Sequence, residues 1–499
     1  MGKGPVTLPL LPHTSGFQGS IPPHHAPPDS LVHGSYNVVY HDFTGMVSQR
    51  PGTVTLGAAT FSALPVTGIT SVTKANGDTR LICADTTKWW KFDSSFAATD
   101  ITGGVNNTGT ATDPWRFAVF SVANENTIFG TNNIDAVRQF VPDAAAYTSP
   151  AAFPICRDIM VLANRMVALN VYTGGVRYQA GIKWSATNDP TTWPASALAQ
   201  LGSYDDPIIC GRPLTADTGL IYCAKSIWKI VAQAGGDASA FRFELLESTS
   251  GPVNSAALTT VNGIDYYACQ DGWIRSCDGS RSQIISAPIA VYANSFLDTS
   301  VTPNTTLVNY AVYHNGTSSV WWTTNNGSAF VYSVRRQQWE PFQDWATNFY
   351  SGHYGNATAT GASLPMTFLG GTGRLYWLSS NATVDLVATA IPWAIYTPTM
   401  CPDPKAQYVV DELDSYIIGT GNVTATVYGF DHPMTLAQTG TSLASGTLDL
   451  TTGTAQRQVV PVNNLSAADR RRWLQVKYSS ANCPFYWAGG ALYVYPEAG

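Results

Sequence analysis

Hydrolysis needs paired carboxylates, an activated nucleophile or a caged metal, and this chain offers fragments of each without a complete set. Asp205, Asp206, Asp265 and Asp271 are the carboxylates that a sugar-cleaving site would draw on. Such a site needs two of them flanking one bond, roughly 5–10 Å apart, and sequence spacing does not pair them. The eight histidines stand at 13, 24, 25, 33, 41, 314, 353 and 432, five of them within the first 41 residues. His24-His25 has no third ligand nearby, so a solvated loop is the reading rather than zinc. No GxSxG, HExxH, Walker A or GxGxxG pattern occurs in strand–helix context. The residues therefore assign no catalytic group, no cofactor and no metal.

The eight cysteines (83, 156, 210, 223, 269, 277, 401, 483) form no CxxC and no Cys/His metal spacing. A chain of 499 residues does not need disulfide staples. Cys269 and Cys277 face each other across a predicted hairpin on paper, but reduced, buried thiols are the expectation. The run SATNDPTTW (185–193) looks loosely like the Asp-box of sialidases, with Thr187 and Asp189 where that pattern wants Asp and Gly. Even a true Asp-box stabilises a turn, so no catalytic role follows. The triplets at Asn315, Asn326, Asn356, Asn381, Asn422 and Asn464 match the glycosylation acceptor pattern. With no secretory leader in the first residues, where Pro5, Pro9 and Pro12 interrupt any apolar run, they carry no meaning. A protein made in the cytoplasm and not exported by a standard signal is expected. No apolar stretch approaches the ~18 residues of a membrane span.

These residues are carried by short strands. Charged residues are only 12% and hydrophobic ones 44%, which excludes intrinsic disorder and permits a large core. Thr, Ser, Asn and Gly, with 15 Trp, 24 Tyr and 19 Phe, suit strands and turns. A theme recurs from about residue 60: two apolar strands joined by an Asn, Asp, Gly, Ser or Thr turn. Copies start near 71, 126, 158, 218, 261, 318 and 372, at spacings of 55, 32, 60, 43, 57 and 54 residues. Asn-Gly and Asp-Gly between apolar runs are strong hairpin signals, and four-stranded propeller blades repeat every ~40–50 residues.

The reading is all-β: a propeller of six to eight irregular blades over 61–400, with a stacked sandwich pair as runner-up. Residues 1–35 are rich in Pro, Gly and His and cannot form a helix, so 1–60 read as an extended arm, lying on its own body or a neighbour's, and an entry strand. After the Pro-rich linker 397–405, six or seven alternating strands over 401–499 read as a β-sandwich. Residues 288–299 and a capping box at Ser466–Asp469 are the only helical signals, both short. The net charge of −6 excludes a general attraction for nucleic acid, and Arg470-Arg471-Arg472 is too short for a basic face.

Four stretches taken together resemble the tail nozzle, tail tubular or packaged-DNA-stabilisation proteins of short-tailed bacteriophages. The first runs from Pro28-Asp29-Ser30-Leu31 through Gly34-Ser35-Tyr36-Asn37 and Asp42-Phe43-Thr44-Gly45 to Arg50-Pro51-Gly52, like the family's arm ending in a turn into the first blade. The second holds Lys183-Trp184-Ser185, Asn188-Asp189-Pro190 and Trp193. The third spans 220–230 and 241–243 and ends at Gly251-Pro252, where the family also uses Gly-Cys or Gly-Ala. The fourth holds Tyr266-Tyr267, Asp271-Gly272-Trp273, Asp278-Gly279 and Ile284-Ile285.

The resemblance covers about residues 28–290. It implies a non-enzymatic virion protein in the tail, made in the bacterial host cytoplasm. Such a protein forms a homo-oligomer, a hexameric ring below the portal and adaptor, contacting fibre or spike proteins. Double-stranded DNA would be held back in the lumen and pass through it without specific binding. On that reading the arm reaches a neighbouring subunit, and deleting residues 1–30 blocks tail assembly. The alternatives are a carbohydrate- or receptor-binding propeller, which needs a concave patch of exposed Trp, and a glycoside hydrolase, which needs paired carboxylates in the central cleft.

Overall fold

A computed structural model describes residues 6–40, 46–57, 59–122, 124–290, 308–324, 327–345, 347–359, 362–386, 388–403, 405–431, 440–450, 456–461, 471–481 and 483–497. Almost every regular element among them is a strand, and the connections are turns with left-handed residues at their corners. Asn262 and Gly263 carry φ of 51° and 79° between antiparallel strands. Ala163-Asn164 and Gly174-Gly175 do the same in another hairpin pair. Two successive positive φ values make the turn whose twist matches that of the flanking strands, which is why Asn and Gly mark these corners.

The hairpins build seven small antiparallel sheets in a ring. Blade 1 holds Val66–Thr73, Thr79–Asp85, Trp89–Phe92 and Ala98–Asp100. Blade 2 has three strands, Arg116–Val122, Glu125–Thr131 and Arg138–Phe140. Blades 3 and 4 begin at Ile155–Leu162 and Ile208–Pro213, blades 5 and 6 at Leu258–Val261 and Val308–His314. Blade 7 takes Ser351–Ala359, Ala362–Gly370 and Leu375–Ser379 from the end of the ring. Its fourth strand, Gly52–Leu56, comes from before blade 1 and pairs Leu56 with Leu375 through Gly52 with Ser379. The ring is thus closed by joining chain segments over 300 residues apart. The fold is an all-β propeller. Six of the seven expected hairpins each fall in a different blade, while of the seventh (372–387) only Leu375–Ser379 joins blade 7 and Val384–Asp385 pairs with Thr389–Ala390 instead.

First strands are innermost and stitched to their neighbours. Trp115 N–H donates to the Thr67 carbonyl at 3.1 Å, Ala311 N–H to that of Ala256 at 2.8 Å, and the Ser351 hydroxyl to that of Val66 at 2.6 Å. Aromatic pairs fill the gaps between blades: Tyr313 on Tyr354 at the inner strands, and farther out Trp89 on Trp115, Phe129 on Phe153, Trp184 on Phe241, Tyr222 on Tyr267 and Tyr266 on Tyr332. Rings serve well here because each buries a large area and edge-to-face contact adds about 0.5–1.5 kcal/mol. This accounts for much of the aromatic content as packing.

The C-terminal strands form a two-sheet sandwich, but they do not form it alone. One sheet orders Gln456–Pro461, Gln407–Gly419, Phe485–Glu497, Val47–Gln49 and Val38–Tyr40, with Val6–Leu10 also on Phe485–Glu497. The other orders Trp393–Tyr396, Trp473–Ser480, Asn422–Phe430 and Thr441–Asp449. Trp393 stacks on Phe485 at 3.6 Å between them.

Within the region expected as an extended arm and entry strand, Val6–Leu10, Val38–Tyr40 and Val47–Gln49 are thus sandwich strands of their own chain and Gly52–Leu56 is the propeller's closing strand. Pro9 is tolerated because Val6–Leu10 is an edge strand that pairs on one side only. One buried cluster runs from Leu413, Trp487 and Val494 of the sandwich to Trp322 and Trp339 of blade 6, so the two parts share a core.

The helix expected at 288–299 begins as a single 3-10 turn, Ala287–Ile289. Residues 291–299, Ser466–Asp469 and Arg470 lie outside the described residues. No helix among the described residues is long and apolar enough to cross a membrane.

Candidate functional site

Two sizeable cavities separate on their chemistry. One, of about 380 Å³, lies where sandwich and propeller meet, lined by Tyr40, Gln49, Arg50, Ser380 and Tyr486 among others. Arg50 dominates it and is fully engaged. Its Nη1 and Nη2 donate to Asp385 at 3.0 and 2.5 Å, its Nε to Asn37 at 3.1 Å, and its remaining donors to the carbonyls of Pro51 and Asp344. The guanidinium also lies 4.2 Å from the Trp345 ring centroid. All five donors are used, so this arginine bolts the closing strand in place and has nothing left for a ligand.

The other cavity, about 270 Å³, lies on the propeller axis and is lined by the innermost strands of blades 1, 2, 4, 5, 6 and 7. Asp158 of blade 3 sits behind its wall with a side chain 1% exposed. It accepts from Arg116 Nε at 3.3 Å, Arg212 Nη1 at 3.2 Å and the Gly211 N–H at 3.0 Å, joining blades 2, 3 and 4 through one carboxylate. Arg212 spends its other contacts on the carbonyls of Gly211 and Ser255. The Arg116 side chain makes no other hydrogen bond among the described residues and stays 22% exposed where it lines the cavity. Burial, then the neighbouring Arg212 charge, pushes the Arg116 guanidinium below its ordinary value. For Arg212 the burial cost is outweighed by Asp158, and its value rises.

On the other side of blade 1, His353 of blade 7 lines the same cavity, its Nε2 2.9 Å from the Ser71 hydroxyl. Burial, assisted by Arg116, lowers this imidazole to about 4, so it is neutral at physiological pH. Thr67 lines the wall with a buried hydroxyl that has no hydrogen-bond partner. Chemically this is a pocket of directed N–H and O–H groups around one free guanidinium fork.

The carboxylates singled out from sequence lie elsewhere. Asp206 accepts the Lys225 N–H and the Ser226 hydroxyl, and Asp205 faces Lys225 Nζ at 3.3 Å, both in the loop before blade 4. Asp271 pairs with Arg275 at 2.7 Å in a blade 5 turn. Asp265 is buried and held by the hydroxyls of Tyr222 at 2.6 Å and Thr260 at 2.5 Å. Burial raises its carboxyl above the usual carboxylate range. Each has a structural partner, and none is among the residues lining the axial cavity.

In the 185–193 run, Asp189 accepts from the Thr191 N–H and hydroxyl and the Thr192 N–H, which lowers its carboxyl to about 2. The segment is a turn, as its sequence implied. The His24 and His25 rings lie tilted with centroids 4.1 Å apart, His24 lies edge-on to Trp473, and no trio of potential metal ligands clusters among the described residues. All eight cysteines are free thiols. Cys277 pairs with Asp265 in register while Cys269 sits at the hairpin's other end, so the two do not face each other. Sequence reasoning passed over Arg116, Asp158 and Arg212, although a charge inside an apolar inner strand was a readable signal in RFAVF, CRDIMVL and IICGRP.

No family model matches the chain, and no curated protein sequence matches it. Among solved structures the chain is similar to the crystal structure of RRP9 WD40 repeats, at 7% identity over 66% of this chain and 99% of that one, with a TM-score of 0.42. It is similar also to BBS1N in complex with ARL6DN, soaked with lead, at 11% identity, the same shares and a TM-score of 0.40. Seven sheets closed by an N-terminal strand define the propeller without them.

Proposed function

We propose that this chain is a structural, non-catalytic protein of a short phage tail, a ring-forming subunit around a lumen that double-stranded DNA crosses. The observation that supports this reading is where the four resembling stretches lie. Arg50-Pro51-Gly52 turns the chain into its closing strand, the outer strand of blade 7 rather than of the first blade. Residues 183–193 end a strand of blade 3 and form its turn. Residues 220–230 and 241–243 belong to three strands of blade 4. Gly251-Pro252 links blades 4 and 5, and Asp271-Gly272 and Asp278-Gly279 turn blade 5. The resembling residues are those that shape blades, which is what kinship in fold and assembly would preserve.

Six copies around the tail axis would contact the adaptor and portal above and fibres or spikes at the side. A surface poor in charge suits permanent contacts between copies, and a net charge of −6 suits a lumen that must release DNA. Immunogold labelling of particles from the source culture tests the reading. Gold at a short tail is the expected result; label absent from every particle overturns it and sends the search to glycan arrays. Activity against capsular polysaccharide should be absent.

A further inference from the structure

We propose that the axial cavity binds a small organic oxyanion, a carboxylate or phosphate ester, clasped by the terminal N–H fork of Arg116. Net charge does not select this ligand. Arg116, Arg157 and Arg212 are set against Asp158, Asp265 and Asp113, which interact with them electrostatically. Directed donors select it. Asp158 takes only the Nε of Arg116, leaving Nη1 and Nη2 without a protein acceptor among the described residues. A planar guanidinium that presents two parallel N–H groups matches the two oxygens of a carboxylate or phosphate, and such charge-assisted pairs are about twice as strong as neutral ones.

Asp158 fixes the fork from behind, so the order of a bound ligand is established before it arrives. The cavity's 270 Å³ is the room of about nine water molecules at ~30 Å³ each, too large for a bare phosphate and suited to a molecule with an organic body.

The test is calorimetric titration of the full chain, at low salt, with citrate, inorganic phosphate and a hexose monophosphate, each in turn. Citrate or hexose monophosphate should bind one to one. Binding of citrate alone identifies a carboxylate ligand, and binding of the sugar phosphate alone a phosphate ester. Arg116→Gln should weaken the interaction about tenfold or more, equivalent to about 1.4 kcal/mol. Arg116→Lys, which keeps the charge but not the fork, should lose most of it too. Arg116→Lys also serves where Arg116→Gln fails to fold. No heat with any probe, or binding unchanged in both variants, overturns the proposal. This inference stands apart from the tail assignment, since it is read on the isolated chain and not on particles.

Discussion

Arg50 and Asp385 show how much one residue can carry. The Arg50 side chain is 1% exposed and that of Asp385 3%. Their pair ties Asn37 of the sandwich side to the closing strand and to the end of blade 6. Removing one partner of a buried ion pair leaves an uncompensated charge and costs about 3–5 kcal/mol. Arg50→Ala should therefore lower the thermal midpoint strongly. The double variant Arg50→Met with Asp385→Leu should recover part of the loss, and a double variant as unstable as the single would refute the pair as cause.

Buried histidines give a pH signature at the same scale. His13 is stacked on Trp487 at 4.6 Å, and burial, partly opposed by Asp29, holds it at about 3. Burial likewise lowers His314 to about 4. The unfolded chain takes up both protons near pH 6.5, before the folded chain does. Stability is thus complete above pH 6.5 and declines as pH falls toward 4, by about 2 kcal/mol per group at pH 5. Scanning calorimetry from pH 7 to 4.5 should show that decline, and His314→Gln should make it shallower while His13 and His353 still contribute. A midpoint independent of pH would contradict the assignment.

Elements are constrained most where blades meet. A methyl group at Gly251 would lie 1.8 Å from the Cys223 carbonyl oxygen, because the blade 4–5 linker runs directly against that strand. Gly236, in the loop before the last strand of blade 4, has nothing within 4 Å of the same added carbon. Gly251→Ala should cost about 2–4 kcal/mol through forced backbone movement, while Gly236→Ala should be neutral or slightly stabilising by restricting the unfolded chain. Urea denaturation of the two variants checks the contrast; equal effects would mean the linker gives way easily. The hairpins themselves were legible in sequence because turn chemistry is local. Asn262-Gly263 needs only its own φ values. The three-stranded form of blade 2 was not legible, since nothing local marks a missing partner.

At the scale of the whole molecule, ring closure is the cooperative step. Deleting residues 1–57 removes the outer strand of blade 7, both Arg50 and its contacts, and three strands of the sandwich. The truncated chain should lose its single unfolding transition and expose apolar surface, read as dye binding in solution. A chain that still melts sharply at the original midpoint would show the closing strand to be dispensable. The same weaving changes what a deletion of residues 1–30 tests, because it also strips Val6–Leu10 from the edge of Phe485–Glu497.

Composition, turn residues and two-residue alternation determined by themselves that the chain is all-β, that it folds as repeated hairpins, and that a second β unit follows residue 397. Those properties depend on neighbours in sequence, where sterics and side-chain period act directly. Only the tertiary structure decided that Gly52–Leu56 completes blade 7, that Val6–Leu10, Val38–Tyr40 and Val47–Gln49 belong to the sandwich, and that Arg116, Asp158, Arg212 and His353 gather at the axial cavity and its wall. Each of those pairings joins residues separated by tens to hundreds of positions. Burial, charge pairing and cavity shape arise there from packing, which leaves no periodic trace in the sequence.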